Sequence, residues 1–106
     1  MRVLFDQGTP VPLRLELPTH DVATAFERGW ATLTNGQLLA TAEAEGFDVL
    51  VTTDRNLRYQ QNVANRGIAI VVLSTPSWPR IRGAVDAVAI AIERSVAGSF
   101  VEVRIP

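Results

Sequence analysis

Cysteine is absent from this chain, and so is lysine. All ten basic residues are arginine, and histidine occurs once, at position 20. Without cysteine there can be neither disulfides nor thiolate metal sites, a pattern that fits a cytoplasmic setting. Without lysine, any mechanism built on a side-chain amine is excluded. His20 stands at the start of a predicted strand and reads as a packing or hydrogen-bonding residue rather than an acid–base group. No stretch approaches the ~18 unbroken apolar residues of a membrane helix, so no membrane association is expected. Met1 is not followed by a basic-then-apolar leader, so export is not expected either. Eleven carboxylates against ten arginines give a net charge of −1. That balance argues against a strongly basic nucleic-acid binder. Arginine forks suit phosphate recognition, but codon usage in a GC-rich genome explains an arginine bias as simply.

What is present is apolar and periodic. With 106 residues and 47% hydrophobic content, the chain is expected to form a single domain, 1–106, around one modest core. "RVLFD" (2–6) is an apolar run ending in an acid. After it, Thr9 can cap and Pro10 can open a short helix with Leu13 and Leu17 on one face, stopped by Pro18. "HDVATAF" (20–26) alternates as an edge strand would. "TNGQLLATAEAEG" (34–46) predicts a helix: Thr34 and Gln37 have capping-box spacing, Leu38, Leu39 and Ala42 form its buried stripe, and Gly46 closes it. "DVLVTT" then reads as a strand, 55–67 as a helix stopped by Gly67, and "IAIVVLS" (68–74) as a fully buried strand.

The last helix is predicted over about 78–97. Ile81, Val85, Val88, Ile92 and Val96 recur on its inner face at the helical period. "SFVEVRI" (99–105) alternates like a strand with one wet face. Strands and helices alternate throughout. With right-handed crossovers, this order predicts an α/β fold, a three-layer α/β/α sandwich around a mostly parallel five-stranded sheet.

In such a sheet, ligands bind outside the carboxyl ends of the strands. Asp6 ends the first strand and Asp54 follows the third, so both belong to that rim. Asp21 and Asp48 open their strands at the opposite edge. Glu43 and Glu45 lie well along a helix that leads away from the rim, and Asp86 and Glu93 read as solvated helix residues. The rim also collects Gln7, Asn35, Gln37, Arg55, Asn56, Ser74 and Thr75. Two carboxylates that approach each other repel unless one is protonated or a divalent cation lies between them. Oxygen ligands with open positions suit Mg²⁺ or Mn²⁺. Such a cation polarises a phosphodiester and acidifies a bound water. The competing reading of Asp54 is a helix N-cap, accepting a backbone N–H from Asn56 or Leu57. Asp6 is harder to explain as a structural residue. It interrupts an apolar strand while Thr9 already serves as the cap, and an acid there is costly without a partner such as Arg2 or Arg55. Trp30 and Trp78 read as lids on the core, and Arg55, Arg58 and Arg66 as a solvated helix face.

Taken together, these segments resemble the small bacterial PIN-like family, relatives of the PIN-domain ribonucleases. "VLFDQGTP" looks like that family's opening. "HDVATAFERGW", "NGQLLATAEAEGFDVLVTTDRNL" and "IAIVVL" look like its next three blocks, in the same order and spacing. The T-x-D-basic end of the central strand is the most recognisable piece. The resemblance spans nearly the whole chain. It implies metal-dependent RNA cleavage, in many members as the toxin of a toxin–antitoxin pair with a cognate antitoxin protein as partner; the oligomeric state is left open, a homodimer among the options. Asp6 and Asp54 would be the catalytic, metal-binding acids. Asn35 stands where members commonly carry a further acid; it can offer a neutral oxygen to the metal but removes a charge. Arg55, Asn56, Gln7 and Ser74 would contact the RNA substrate. The alternative is a catalytically weakened PIN-like module that binds RNA or protein through the same rim. A phospho-accepting receiver domain, which also has acids after its first and third strands, is excluded by the missing lysine and by Gln7 in place of a second acid.

Overall fold

Five short apolar segments meet as one sheet in the structure, a computed structural model that describes residues 1–57 and 63–106. The strands are β1 (Arg2–Phe5), β2 (Asp21–Thr24), β3 (Val49–Thr52), β4 (Ala69–Leu73) and β5 (Phe100–Val103). Their order is β2-β1-β3-β4-β5, and every pairing is parallel, including that of the last strand. All five residues of β4 are buried, as its unbroken aliphatic run requires of a strand covered on both faces.

The alternation of each strand sorts the core into two halves. Val3, Phe5, Val49, Val51 and Val71 face one apolar cluster; Leu4, Leu50, Ile70 and Val72 face the other. The first half is covered by Leu13 and Leu17 from the segment after β1, and by Ile81, Val88 and Ile92 from two helices, α2 (Trp78–Arg82) and α3 (Val85–Glu93). The second half is covered by Leu38, Leu39 and Ala42 of α1 (Asn35–Ala44), with Leu57 and Val63. The architecture is therefore α/β in three layers. The capping box forms as expected: Gln37 N–H donates to Thr34 Oγ1 at 3.2 Å and Thr34 N–H to Gln37 Oε1 at 2.9 Å. Gly46, at φ 82, ends the turn after α1 in a conformation that L side chains rarely adopt.

Several expectations are corrected. The segment after Thr9 is a 3-10 helix, Val11–Glu16, with Pro10 at its N-cap and no side-chain cap. Pro12 inside it removes a donor, and Thr9 spends its hydroxyl elsewhere. The helix expected over 78–97 is two helices, broken at Gly83 and Ala84, where Ala84 leaves helical geometry (φ −131, ψ 22). It ends at Glu93, so Val96 is exposed rather than on the inner face. β5 has no single wet face: Phe100 packs on one apolar cluster and Val103 belongs to the other, while Val101 and Glu102 are exposed. The helix expected over 55–67 falls largely on 58–62, Arg58 included, which lie outside the described residues; Val63–Asn65 form a 3-10 turn.

Nor do the crossovers all share one hand. The chain steps from β1 outward to β2 over the first face, then in the opposite direction to β3 and β4 over the second face. Reversing both direction and face preserves the hand, as the right-handed rule requires. The step from β4 to β5 continues in that direction but over the first face, so its hand is opposite. A physical reason is at hand: otherwise only a six-residue 3-10 helix would cover that face. The outer edge of β2 is blocked locally. Thr24 N–H donates to Glu27 Oε1 at 2.9 Å, and Arg28 N–H donates to the Thr24 carbonyl at 3.2 Å.

Candidate functional site

From β1 the chain turns one way along the sheet, and from β3 it turns the other. The crevice between the carboxyl ends of these two neighbouring strands is the topological switch point, where open parallel sheets bind ligands. Asp6 leaves β1 there, Asp54 leaves β3 there, and α1 begins beside them with Asn35.

The register explains how the two acids become linked. Phe5 pairs with Val51, so one step further Asp6 lies opposite Thr52 on the same side of the sheet. Thr52, only 1% exposed, donates its hydroxyl to Asp6 Oδ2 and accepts the backbone N–H of Asp54 at 3.0 Å. One buried hydroxyl thus ties both carboxylate-bearing residues together. The other Asp6 oxygen, Oδ1, lies 2.8 Å from Thr9 Oγ1. Backbone N–H groups of Gly8 and Thr9 also support the carboxylate. Among the described residues no cation pairs with Asp6: Arg2 pairs with Asp21 at 3.9 Å and Arg55 with Glu102 at 3.4 Å. Burial is therefore the largest influence on this acid and pushes its pKa above the usual 3.8, against the hydrogen bonds from Thr52, Thr9 and Gly8 that pull it down.

Asp54 Oδ1 accepts the Asn56 N–H at 2.9 Å, the local bond of the capping reading, while the helix it would cap falls largely on residues outside those described. Asp54 Oδ2 is taken by the side-chain amide of Asn35, with Nδ2 donating at 2.7 Å. Asn35 thus presents its nitrogen to Asp54, and only a turn of the amide would offer a metal its oxygen. Gly8 allows the loop after β1 to lie against β3, since a Cβ at this position would collide with Thr53 Oγ1. Among the described residues, no group of three or more His, Cys, Asp or Glu side chains could hold a metal. Two carboxylates nevertheless suffice for Mg²⁺ or Mn²⁺, which keep several of their waters. A half-buried carboxylate with no cationic partner among the described residues is a fitting donor for one.

The structure brings Asp6, Gln7, Asn35 and Asp54 together, keeps the Asn56 backbone beside Asp54, and turns the Arg55 and Ser74 side chains to other partners. Gln7 and Asp6 line both a small pocket of about 110 Å³, shared with Asn35 and Trp30, and a larger groove of about 570 Å³ on their other side. Ser74 stands at the β4–β5 end, where its Oγ accepts the Ile105 N–H at 2.8 Å. Thr75 Oγ1 accepts the Ser77 N–H at 3.2 Å. The Arg55 guanidinium turns toward β5, and Asn56 contributes its backbone to the Asp54 turn. Away from the site, His20 Nδ1 lies 3.3 Å from the N-terminal ammonium, and Trp30 packs edge-on against Phe47. Sequence reasoning missed Thr52 and Thr9, although extending the β1–β3 register by one residue identifies the first. No family model, curated protein or solved structure matches the chain.

Proposed function

We propose that this chain is a PIN-like, Mg²⁺- or Mn²⁺-dependent endoribonuclease, as the resemblance of its sequence implies. The observation that carries this reading is the half-buried Asp6 carboxylate, which has no cationic partner among the described residues and is linked through Thr52 to Asp54 at the switch point. Asp6 and Asp54 would hold the cation, with Asn35 assisting after its amide turns. When bound, the cation polarises a phosphodiester and makes a water acidic enough to attack it near neutral pH. The chain's own contribution is positional. Thr52 and Thr9 fix the Asp6 carboxyl, the Asn56 N–H fixes one oxygen of Asp54, and Gln7 is exposed beside them to meet the substrate. A role as the toxin of a toxin–antitoxin pair, a cognate antitoxin protein and a homodimeric assembly belong to the same reading.

One observation favours a second reading, a PIN-like module that binds RNA or protein without cleaving it. The Asn35 amide fills the Asp54 oxygen that a cation would use. Calorimetric titration of Mn²⁺ into the wild type and Asp6→Asn separates the two. Binding that vanishes in the variant, together with Mn²⁺-dependent cleavage of single-stranded RNA, is the result expected of the nuclease. Two folded proteins that both ignore Mn²⁺ would leave the binding module.

A further inference from the structure

The two edges of the sheet are finished differently. At β2, the outward N–H and carbonyl of Thr24 are both taken within the chain, by Glu27 Oε1 and by the Arg28 N–H. At β5, the carbonyls of Ser99 and Val103 accept from Ile70 and Ser74, and the Ile105 N–H donates to Ser74 Oγ. The odd-numbered residues of this strand therefore turn their backbone inward, to β4, and Glu102 and Arg104 turn theirs outward. Since β5 pairs with β4 alone, those outward backbone groups have no hydrogen-bond partner among the described residues. Side chains alternate in step: Glu102 and Arg104 lie on the α1 face with Phe100, and Val101 lies on the other face with Val103. Charge on an edge strand ordinarily keeps other strands away. Two like charges two positions apart would do so here. An acid and a base at that spacing make the strand its own complement.

We propose that the outer edge of β5 pairs antiparallel with β5 of a second copy, about a twofold axis between the two Val103 residues, so that two sheets become one. Outward backbone groups meet only outward ones, so even-numbered residues must oppose even-numbered ones. Glu102 opposite Arg104 of the second copy obeys that rule, and the twofold axis repeats the pair. Each such pair exchanges both backbone hydrogen bonds and sets opposite charges directly across from each other. Slipping the register to the next allowed position sets Glu102 against Glu102 in one direction and Arg104 against Arg104 in the other. Arg104 is exposed and takes part in no ion pair among the described residues. Glu102 keeps Arg55 at 3.4 Å and gains a second cation. The proposal gives the homodimer named above a surface, but it rests on β5 alone and not on the chemistry of the acids.

The chain has no cysteine, so a single introduced thiol reports the register. In the proposed dimer the two copies of position 103 form a pair without hydrogen bonds, about 4.5 Å apart at Cα and within disulfide reach. The two copies of position 101 stand about 14 Å apart, four strand steps of ~3.4 Å. Under mild oxidation, Val103→Cys should cross-link into a covalent dimer and Val101→Cys should not, although position 101 is the more exposed, 40% against 7%. In sedimentation equilibrium, Arg104→Glu should weaken self-association about tenfold, because carboxylates then face each other. Glu102→Arg should do the same. An equimolar mixture of these two variants should dimerise again, since each supplies the charge the other lacks, and that recovery also shows that both fold. A wild type that is monomeric at every concentration would overturn the proposal. So would a dimer indifferent to both charge reversals, a mixture that stays monomeric, or cross-linking at 101 rather than 103. Failure of the nuclease reading is seen separately, because Mn²⁺ titration reads Asp6 and Asp54 and not β5.

Discussion

Thr9 has one hydroxyl hydrogen and two acceptors within reach, Asp6 Oδ1 at 2.8 Å and the Val51 carbonyl at 2.9 Å. If the hydrogen goes to Val51, the Thr9 oxygen turns a lone pair toward Asp6, which suits a protonated carboxyl. Desolvation acts in the same direction, raising the Asp6 pKa above 3.8. An acid whose folded pKa exceeds its unfolded value binds its proton more tightly when folded. Stability is then lost as pH rises from the unfolded value through the folded one. Asparagine at position 6 accepts from Thr52 and donates to Thr9 without ever carrying charge. In EDTA, Asp6→Asn should therefore melt at a higher temperature than wild type near neutral pH, with the gap closing below pH 3.8. A variant that melts lower at neutral pH would contradict this account. Asn35→Asp works in the opposite sense, since it removes the 2.7 Å donor to Asp54 and adds a third acid. The metal-free variant should lose about 1–3 kcal/mol by urea denaturation. Its calorimetric Mn²⁺ affinity should rise on the order of tenfold, because affinity for hard cations follows ligand charge.

The elements explain why these residues meet. β1 and β3 are adjacent and parallel, so a carboxylate one step beyond β1 lies opposite the last hydroxyl of β3. Thr52→Val keeps the shape but deletes both the donor to Asp6 and the acceptor of the Asp54 N–H. The expected cost is about 1–3 kcal/mol in chemical denaturation, with weaker Mn²⁺ binding. An unchanged midpoint would show that Thr52 ties nothing together. Strand positions, the α1 capping box and the rim placement of Asp6 and Asp54 were legible in the sequence, because each rests on local periodicity or on the carboxyl-end rule. What was not legible depends on distant partners. Gly83 does not announce a helix break, since helices tolerate single glycines at modest cost. Pro10 could open an α-helix as well as a 3-10 helix. Ser74 belongs to the rim by sequence, yet its oxygen is claimed by a backbone donor 31 residues away. Asn35 as a ligand depends on an amide orientation tied to Asp54, 19 residues away in the chain.

Among the described residues, half of the ten arginines are already engaged. Arg2, Arg14, Arg55 and Arg66 each pair with a carboxylate. Arg80 is spent on the carbonyls of Ile105 and Pro106. A net charge of −1 gives the chain no overall excess of positive charge to gather a polyanion. On the nuclease reading, RNA affinity would come mainly from a divalent cation at the acids rather than from counterion release. Affinity for single-stranded RNA should then depend weakly on monovalent salt. A log–log slope no steeper than about −1.4 corresponds to two phosphate contacts at about −0.7 each. Adding Mn²⁺ at fixed ionic strength should tighten binding by wild type but not by Asp6→Asn, since on the proposed reading Asp6 and Asp54 would hold the cation. Anisotropy titrations over a range of KCl concentrations, with and without Mn²⁺, measure both terms. A steep slope that is indifferent to Mn²⁺ would mean that the arginines leave their partners on binding. The recognition surface would then be the basic groups rather than the switch-point crevice.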